Sequence, residues 1–170
     1  RHTLATRIIL GTIYAYGNST TAPFSEQFYM GGADDLRAFS PRSIGPGSYH
    51  TTGRYDYIDH TGDLKFEVNI EWRFPLAGQL NGALFADAGN VWLLRNDNAR
   101  PGGQLQWKTL SKEVALGTGF GLRYNLRLLL LRFDVGIPIH IPYPTEKRGY
   151  YNVPHFIRGL CFHLGVGYPF

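Results

Sequence analysis

The stretch that decides the fold class is residues 64–74, which read Leu-Lys-Phe-Glu-Val-Asn-Ile-Glu-Trp-Arg-Phe. Every even-numbered position is apolar and every odd-numbered position is polar or charged. An alternation of period 2 places the two sets of side chains on opposite faces of a β-strand. At about 3.3 Å per residue, such a strand is long enough to cross a bilayer at a tilt. The stretch therefore predicts a strand with one apolar and one polar face.

Five further segments show a similar alternation and predict five more strands. They cover residues 4–16, 80–92, 114–124, 127–137 and 160–170. In the fourth of these the parity changes, so that Arg132 and Asp134 oppose an apolar set of odd-numbered residues. In the last, the apolar face consists of Leu160, Phe162, Leu164, Val166, Tyr168 and Phe170.

The connections between these segments alternate in length. Residues 18–62, 93–112 and 138–154 form long connections, and residues 75–79 and 125–126 form short ones. Outer-membrane β-barrels have short periplasmic turns at one end and longer extracellular loops at the other. We therefore predict that the three long loops lie together, opposite the two turns. Aromatic residues near the predicted strand ends favour an interfacial girdle on the apolar face: Trp72, Trp92, Tyr124 and Tyr168.

Composition excludes several other classes of protein and function. The 170 residues are 44% hydrophobic, 15% aromatic and 18% charged, which disfavours disorder and coiled coils. The net charge of +4 is too small to indicate nucleic-acid binding. A metal site needs three or four ligands, and Cys161 and His163 with nearby histidines are only a weak candidate for one. A phosphate-binding loop is also disfavoured, because no Lys-Ser/Thr follows Gly117, Gly119 and Gly121. The sequence thus predicts no enzyme activity, no metal and no cofactor.

Two motifs carry a family resemblance. Gly31 and Gly32 precede the quartet Leu36-Arg37-Ala38-Phe39, and residues 85–89 read Phe-Ala-Asp-Ala-Gly. These resemble the hydrophobic-Arg-Gly-aromatic loop motif and the Phe-x-Asp-x-Gly motif of the BamA/TamA outer-membrane insertase superfamily. The stretch from Arg37 to Tyr49 is most similar to the TamA-like lipoproteins of Bacteroidetes. Ala38 stands where that family usually has Gly, so its methyl group challenges close packing there.

The resemblance implies that the long loop, residues 18–62, folds into the barrel lumen. The second motif consists of Phe85, Asp87 and Gly89, and the resemblance implies that Arg37 of the loop pairs with its Asp87. Strand parity independently places four carboxylates on polar faces: Glu67, Glu71, Asp87 and Asp134. An acidic lumen wall suits an arginine, whose planar fork binds a carboxylate bidentately. The glycines of residues 117–121 would leave space for the loop backbone. The alternative is that Arg37 is a solvated loop residue.

The C-terminal segment resembles the targeting signal of bacterial outer-membrane barrels, in which alternate apolar residues lead to a terminal aromatic. Here the signal residues are Phe162, Leu164, Val166, Tyr168 and Phe170. The alternative is an ordinary final strand that ends on phenylalanine.

Together these observations predict an all-β chain of about six antiparallel strands. The resemblance implies that residues 1–170 are the C-terminal portion of a transmembrane barrel of sixteen strands in the bacterial outer membrane. The N-terminal strands and the periplasmic POTRA domains would then lie outside this chain. Its two unpaired edges would need detergent, edge-to-edge pairing with a second copy, or the remaining strands.

The implied function is non-enzymatic assembly, insertion or translocation of outer-membrane proteins or envelope components, with lipids and client proteins as partners. A two-partner-secretion-type pore, a passive outer-membrane channel and a soluble β-sandwich binding module are the alternatives.

Overall fold

The computed structural model describes residues 2–19, 21–51, 59–126 and 128–170. Their six strands form one sheet in which each strand pairs antiparallel with the next along the chain. The strands are β1 (Thr3–Thr12), β2 (Leu64–Ala77), β3 (Leu80–Trp92), β4 (Ala115–Asn125), β5 (Leu130–His140) and β6 (Cys161–Val166). A four-residue helix, α1 (Leu110–Glu113), precedes β4, and a 3₁₀ turn (Ile157–Gly159) precedes β6. The all-β fold of about six antiparallel strands is confirmed.

The connections lie as the sequence predicts. Only residues 78–79 separate β2 from β3, and residues 126–129 separate β4 from β5. Residues 13–63, 93–114 and 141–160 make the longer connections. Because neighbouring strands run antiparallel in chain order, the two short turns share one end of the sheet and the three long connections share the other.

The two faces of the sheet are sorted by residue parity. In β2, Glu67, Asn69 and Glu71 are fully buried, whereas Ile70 and Trp72 on the opposite face are 43% exposed. In β5 the buried Arg132 and Asp134 oppose the exposed Leu131, so the predicted change of parity is also confirmed. We call the polar, buried face the inner face and the apolar, exposed face the outer face.

The connection between β1 and β2 is residues 13–63, which we call the inner loop, and its described residues cover the inner face. Its apolar residues pack against Val91 of β3 and Ala115 of β4. The loop contributes Met30, Leu36, Ala38, Phe39 and Ile44 to this cluster, all of them buried. The hydrophobic core therefore lies between the inner loop and the sheet, and it holds the loop against a face that is otherwise polar.

Two of the four predicted girdle residues are placed elsewhere. Trp92 is 1% exposed, and its Nε1–H donates to Oε2 of Glu113 at 2.8 Å. Helix α1 brings Glu113 over the end of β3, which gives the buried indole N–H an acceptor. The ring centroid of Tyr168 lies 4.0 Å from Cζ of Arg73, which binds Glu71 of the inner face. Trp72 and Tyr124 do lie exposed on the outer face.

The predicted alternation of the last strand is wrong beyond Val166. Phe162, Leu164 and Val166 are exposed on the outer face, but β6 ends there and Gly167 adopts a φ of +88°. Phe170 turns to the inner side, where its carbonyl accepts a hydrogen bond from Nη2 of Arg73 at 3.2 Å. Gly167 tolerates the left-handed backbone at which the tail turns, and the arginines of the inner side, Arg7, Arg37 and Arg73, lie within 6 Å of the Phe170 ring.

Among the described residues, no helix has the length and apolarity that a membrane-crossing helix needs.

A charge on the outer face tests its exposure to lipid. Val68 lies in the middle of β2, paired with Ile8 and Ala88. We expect Val68→Arg to lower the free energy of unfolding by roughly 2–4 kcal/mol, because an arginine near the bilayer midplane is poorly solvated. The measurement is urea unfolding of the full-length protein in lipid vesicles. Leu76→Arg, close to the β2–β3 turn, is the matched control, with an expected loss of about 0–1 kcal/mol. Equal losses for the two variants would contradict a depth-dependent lipid contact.

Candidate functional site

The inner loop reverses direction between Gly32 and Phe39. The N–H of Gly32 donates to the carbonyl of Phe39, and the N–H of Phe39 donates to the carbonyl of Leu36, each at 3.0 Å. Gly31 has a φ of +99°, and a Cβ there would lie 2.2 Å from the carbonyl oxygen of Ser40. A side chain is therefore excluded at Gly31, and the turn presents Leu36, Arg37 and Ala38 to the sheet.

Arg37 binds Asp87 through three hydrogen bonds. Its Nε donates to Oδ2 at 2.9 Å, its Nη2 donates to Oδ1 at 2.8 Å, and its main-chain N–H donates to Oδ2 at 3.1 Å. Both side chains are almost fully buried. The predicted contact between the two motifs is thus present in this chain, with the bidentate geometry of a strong guanidinium–carboxylate pair. The functional role of these residues stays a prediction.

Two further groups complete the surroundings of the guanidinium. Its Nη1 donates to Oε2 of Glu71, and its Cζ lies 3.6 Å from the ring centroid of Phe85. Burial opposes the charged form, but the hydrogen bonds and charges of Asp87 and Glu71 outweigh it and raise the pKa of Arg37 above its usual value. Phe85 therefore supplies a cation–π contact, while Asp87 and Glu71 supply the compensating charge.

The pair is part of a larger inner ion-pair network. Glu71 also binds Nε of Arg73 at 2.7 Å and Nη2 of Arg123 at 3.0 Å, and Arg123 in turn binds Asp134. Among the described residues the ion pairs form two clusters, which Asn69 links by hydrogen bonds to Arg7 and Asp87. Together the clusters contain six cations and six carboxylates, so their formal charges balance. They are Arg7, Arg37, Lys65, Arg73, Arg123, Arg132, Asp34, Asp35, Glu67, Glu71, Asp87 and Asp134.

Glycines of β4 and β5 form the floor beneath the loop backbone. A Cβ at Gly117 would lie 2.2 Å from Cβ of Ala38, and a Cβ at Gly136 would lie 2.0 Å from the carbonyl oxygen of Arg37. Ala38 therefore fits despite its methyl group, because Gly117 provides the space. Gly119 and Gly121 instead accommodate Phe85 and the side chains of Asp134 and Arg123, so only part of the predicted glycine patch meets the loop.

Comparison with known proteins identifies the family of this chain. The whole chain, residues 1–170, matches the Omp85 superfamily domain. The chain belongs to the Omp85 superfamily. A curated relative is the outer membrane protein assembly factor BamA of Neisseria meningitidis serogroup B, 33% identical over 148 residues. The alignment covers 76% of this chain and 18% of that protein, so the chain spans about a fifth of the relative's length.

Membership in the Omp85 superfamily places the chain in the bacterial outer membrane, and its six strands are part of a β-barrel. The resemblance to the BamA/TamA type is confirmed at the level of the superfamily. The similarity to the TamA-like lipoproteins of Bacteroidetes stays a prediction.

The surroundings of Arg37 contain two residues that the sequence patterns did not indicate. Gly136 has no motif signal, and it is found only through the backbone of Arg37 above it. His163 donates from Nε2 to the carbonyl of Arg37 at 2.9 Å, although its position suggested at most a weak metal ligand. Within the described ranges, no group of three or more His, Cys, Asp or Glu side chains is arranged to hold a metal.

A second part of the network surrounds Asp35 of the inner loop. Nζ of Lys65 lies 3.1 Å from Oδ1 of Asp35 and 3.0 Å from Oε2 of Glu67. Glu67 also binds Nη2 of Arg7 at 2.6 Å. Burial and the charge of Glu67 raise the pKa of Asp35 to about 6, against the opposing influence of Lys65. The predicted carboxylate Glu67 therefore belongs to this neighbouring cluster, and Arg37 is bound by Asp87 and Glu71.

This raised pKa predicts a pH dependence of loop docking. The docked loop disfavours the ionised form of Asp35. The free energy of docking therefore becomes less favourable as the pH rises from about 4 to about 6, and it is constant above that range. We expect the inner loop of the full-length protein to resist protease better at pH 5 than at pH 7.5. The raised pKa corresponds to at most about 3 kcal/mol. Asp35→Asn should remove this part of the pH dependence, whereas Asp97→Asn, in the exposed 93–114 loop, should retain it. An unchanged pH profile in Asp35→Asn would contradict the assignment.

Proposed function

We propose that the parent protein of this chain is a non-enzymatic outer-membrane protein assembly or insertion factor. In this proposal residues 1–170 form the C-terminal part of its barrel, with residues 18–62 as the lumen-binding loop. The observation that carries the proposal is the docked motif, in which buried Arg37 bonds Asp87 and Glu71. The 33% identity to an outer membrane protein assembly factor supports the same function.

The docked loop gives a physical basis for such a role. Arg37 joins the inner loop to β2 and β3, so the loop stiffens the wall of the barrel at the motif. At the other side of the sheet, β6 pairs over only six residues and has Gly165 on its inner face. We propose that this contrast leaves β6 as the deformable edge at which client strands or envelope components enter the lipid phase. The residues of the C-terminal signal would direct the parent protein to the membrane: Phe162, Leu164, Val166, Tyr168 and Phe170.

The partners that follow are outer-membrane lipids at the outer face, client outer-membrane proteins, and N-terminal strands and POTRA domains outside this chain. The outer face carries large exposed apolar side chains on β1 and β6, among them Leu4, Ile8, Leu10, Phe162 and Leu164. Exposed apolar side chains at both edges of the outer face fit lipid contact. Pairing of the two free edges with a second copy is a further proposal for the isolated chain.

The experiment is depletion of the full-length protein in the bacterium that encodes it, with the folded fraction of other outer-membrane barrels measured by heat-modifiable gel mobility. We expect that fraction to fall, and to be restored by the wild-type gene but not by an Arg37→Ala gene. A passive channel or two-partner-secretion-type pore predicts the opposite: barrel assembly would be unchanged, while the purified protein would conduct ions in planar bilayers. That result would overturn the proposal.

A further inference from the structure

The main-chain carbonyl of Arg37 is held by the last strand of the sheet. Nε2 of His163 in β6 lies 2.9 Å from this oxygen. Because a carbonyl oxygen only accepts hydrogen bonds, Nε2 carries the proton and donates it. Gly136 of β5 allows the close approach, since a Cβ there would lie 2.0 Å from the same oxygen. The Arg37 backbone therefore lies across β5 and reaches β6.

The contact matters because β6 has little other support. It pairs over six residues with β5, and the described chain offers no strand on its other side. Its inner-facing positions are Cys161, His163 and Gly165. The thiol of Cys161 lies beside Ser40 of the inner loop, and Gly165 carries no side chain. His163 thus makes the strongest polar contact between the inner-facing residues of β6 and the inner loop, since thiols are weak hydrogen-bonding groups.

The tail after β6 touches the same arginine from its other end. The Cζ atom of Arg37 lies 5.7 Å from the ring centroid of Phe170, and those of Arg7 and Arg73 lie 5.0 and 5.9 Å from it. The C-terminal segment therefore meets both the carbonyl and the guanidinium of Arg37. A movement of β6 away from β5 would withdraw both contacts together.

We propose that His163 is a positioning residue that couples the docking of Arg37 to the position of β6. When β6 moves away from β5, the buried carbonyl of Arg37 loses its donor, which weakens the docked state of the loop. Coupling between two sites is reciprocal, so undocking of Arg37 releases β6 to the same extent. The significance of this coupling for insertion rests on the proposed function, but the coupling itself can be measured without it.

Cys161 provides the reporter, because it lies in β6 two residues before His163 and borders the loop at Ser40. The experiment follows maleimide labelling of Cys161 in the full-length, membrane-reconstituted protein by peptide-resolved mass spectrometry. We expect His163→Ala to accelerate labelling about fivefold or more, as the loss of a net bond of about 1 kcal/mol implies. His163→Gln, whose amide keeps a donor near the Nε2 position, should label at nearly the wild-type rate. His155→Ala, at an exposed histidine of the 141–160 loop, is the matched control.

A double mutant separates coupling from a merely structural role. Arg37→Ala alone should accelerate labelling of Cys161, and adding His163→Ala should cause little further change. Two results would overturn the proposal: His163→Ala accelerating labelling by the same factor in both backgrounds, or His163→Gln labelling as fast as His163→Ala. Heat-modifiable mobility of each variant confirms that its barrel is folded. Because labelling requires no client, failure of the depletion experiment would leave this coupling standing, and the reverse also holds.

Discussion

Arg37→Ala is expected to release the inner loop from the sheet. The substitution leaves Asp87 fully buried with one remaining side-chain partner, the Nδ2 amide of Asn69 at 3.1 Å. Removing one partner of a buried ion pair costs about 3–5 kcal/mol, because the other charge stays desolvated without compensation. We expect the free energy of loop docking in the full-length protein to fall by about that amount. Limited proteolysis of residues 31–49 in membrane vesicles measures it.

The reciprocal variant tests whether the two residues act as one unit. Asp87→Ala leaves Arg37 with Glu71 alone as its carboxylate partner, so it should also destabilise docking. The double variant removes both charges, and its loss should be smaller than the sum of the two single losses. Strict additivity, or wild-type protection of the loop in Arg37→Ala, would contradict the proposed pairing.

Two control variants define what is special about the site. Arg37→Lys keeps the charge but cannot bind Asp87 bidentately, so we expect intermediate docking. Arg100 and Asp97 form an ion pair of 2.8 Å in the 93–114 loop, where Asp97 retains 32% side-chain exposure. Asp97→Ala should therefore change stability by about 1 kcal/mol or less. A comparable effect at both sites would show that burial does not determine the strength of the Arg37 pair.

The strands were predictable because their information is local. In residues 64–74 the polarity of each side chain alone indicates which face of the sheet it occupies. A shift of the strand register by one residue would place the apolar set on the inner face and expose Glu67 and Glu71. The contact of Arg37 with Asp87 could be anticipated from the family motifs, together with the parity of Asp87. The packing that accompanies it, through Leu36 and Phe39 against Val91, follows from their apolar character.

The features that could not be predicted depend on contacts between segments that are distant in sequence. Trp92 has the parity of an outer-face residue, but α1 brings Glu113 to its indole N–H and the side chain is buried. The sequence of the 93–114 connection did not indicate this helix. Phe170 continues the apolar alternation in sequence, yet Gly167 and a group of arginines from three other segments redirect it. The choice of Arg123 as a second partner for Glu71 likewise depends on strand register and loop position, which no local pattern records.

Gly117→Ala is expected to displace the inner loop by steric conflict. The added Cβ would lie 2.2 Å from Cβ of Ala38, well inside any tolerated contact. Gly117 is paired with Asp87 on one side and Pro138 on the other, so the sheet cannot move away and the loop must lift. Overpacking of this kind costs typically about 1–3 kcal/mol, and here it also lengthens the Arg37–Asp87 bonds. Protease protection of residues 31–49 in the full-length protein should fall accordingly.

The same geometry predicts a specific rescue. In Ala38→Gly/Gly117→Ala the methyl group moves from the loop to the floor, so the conflict disappears and docking should return close to that of Ala38→Gly alone. Gly136→Ala should show no such rescue, because its Cβ would meet the backbone oxygen of Arg37 at 2.0 Å, which Ala38→Gly leaves in place. Gly159→Ala, where the nearest atom would be a Pro138 side-chain carbon at 3.1 Å, should leave protection of the inner loop less affected than Gly117→Ala does, because the contact is about 0.9 Å longer. Ala38→Gly restoring Gly136→Ala and Gly117→Ala equally would show that loop flexibility, and not the fit between residues 38 and 117, sets the position of Arg37.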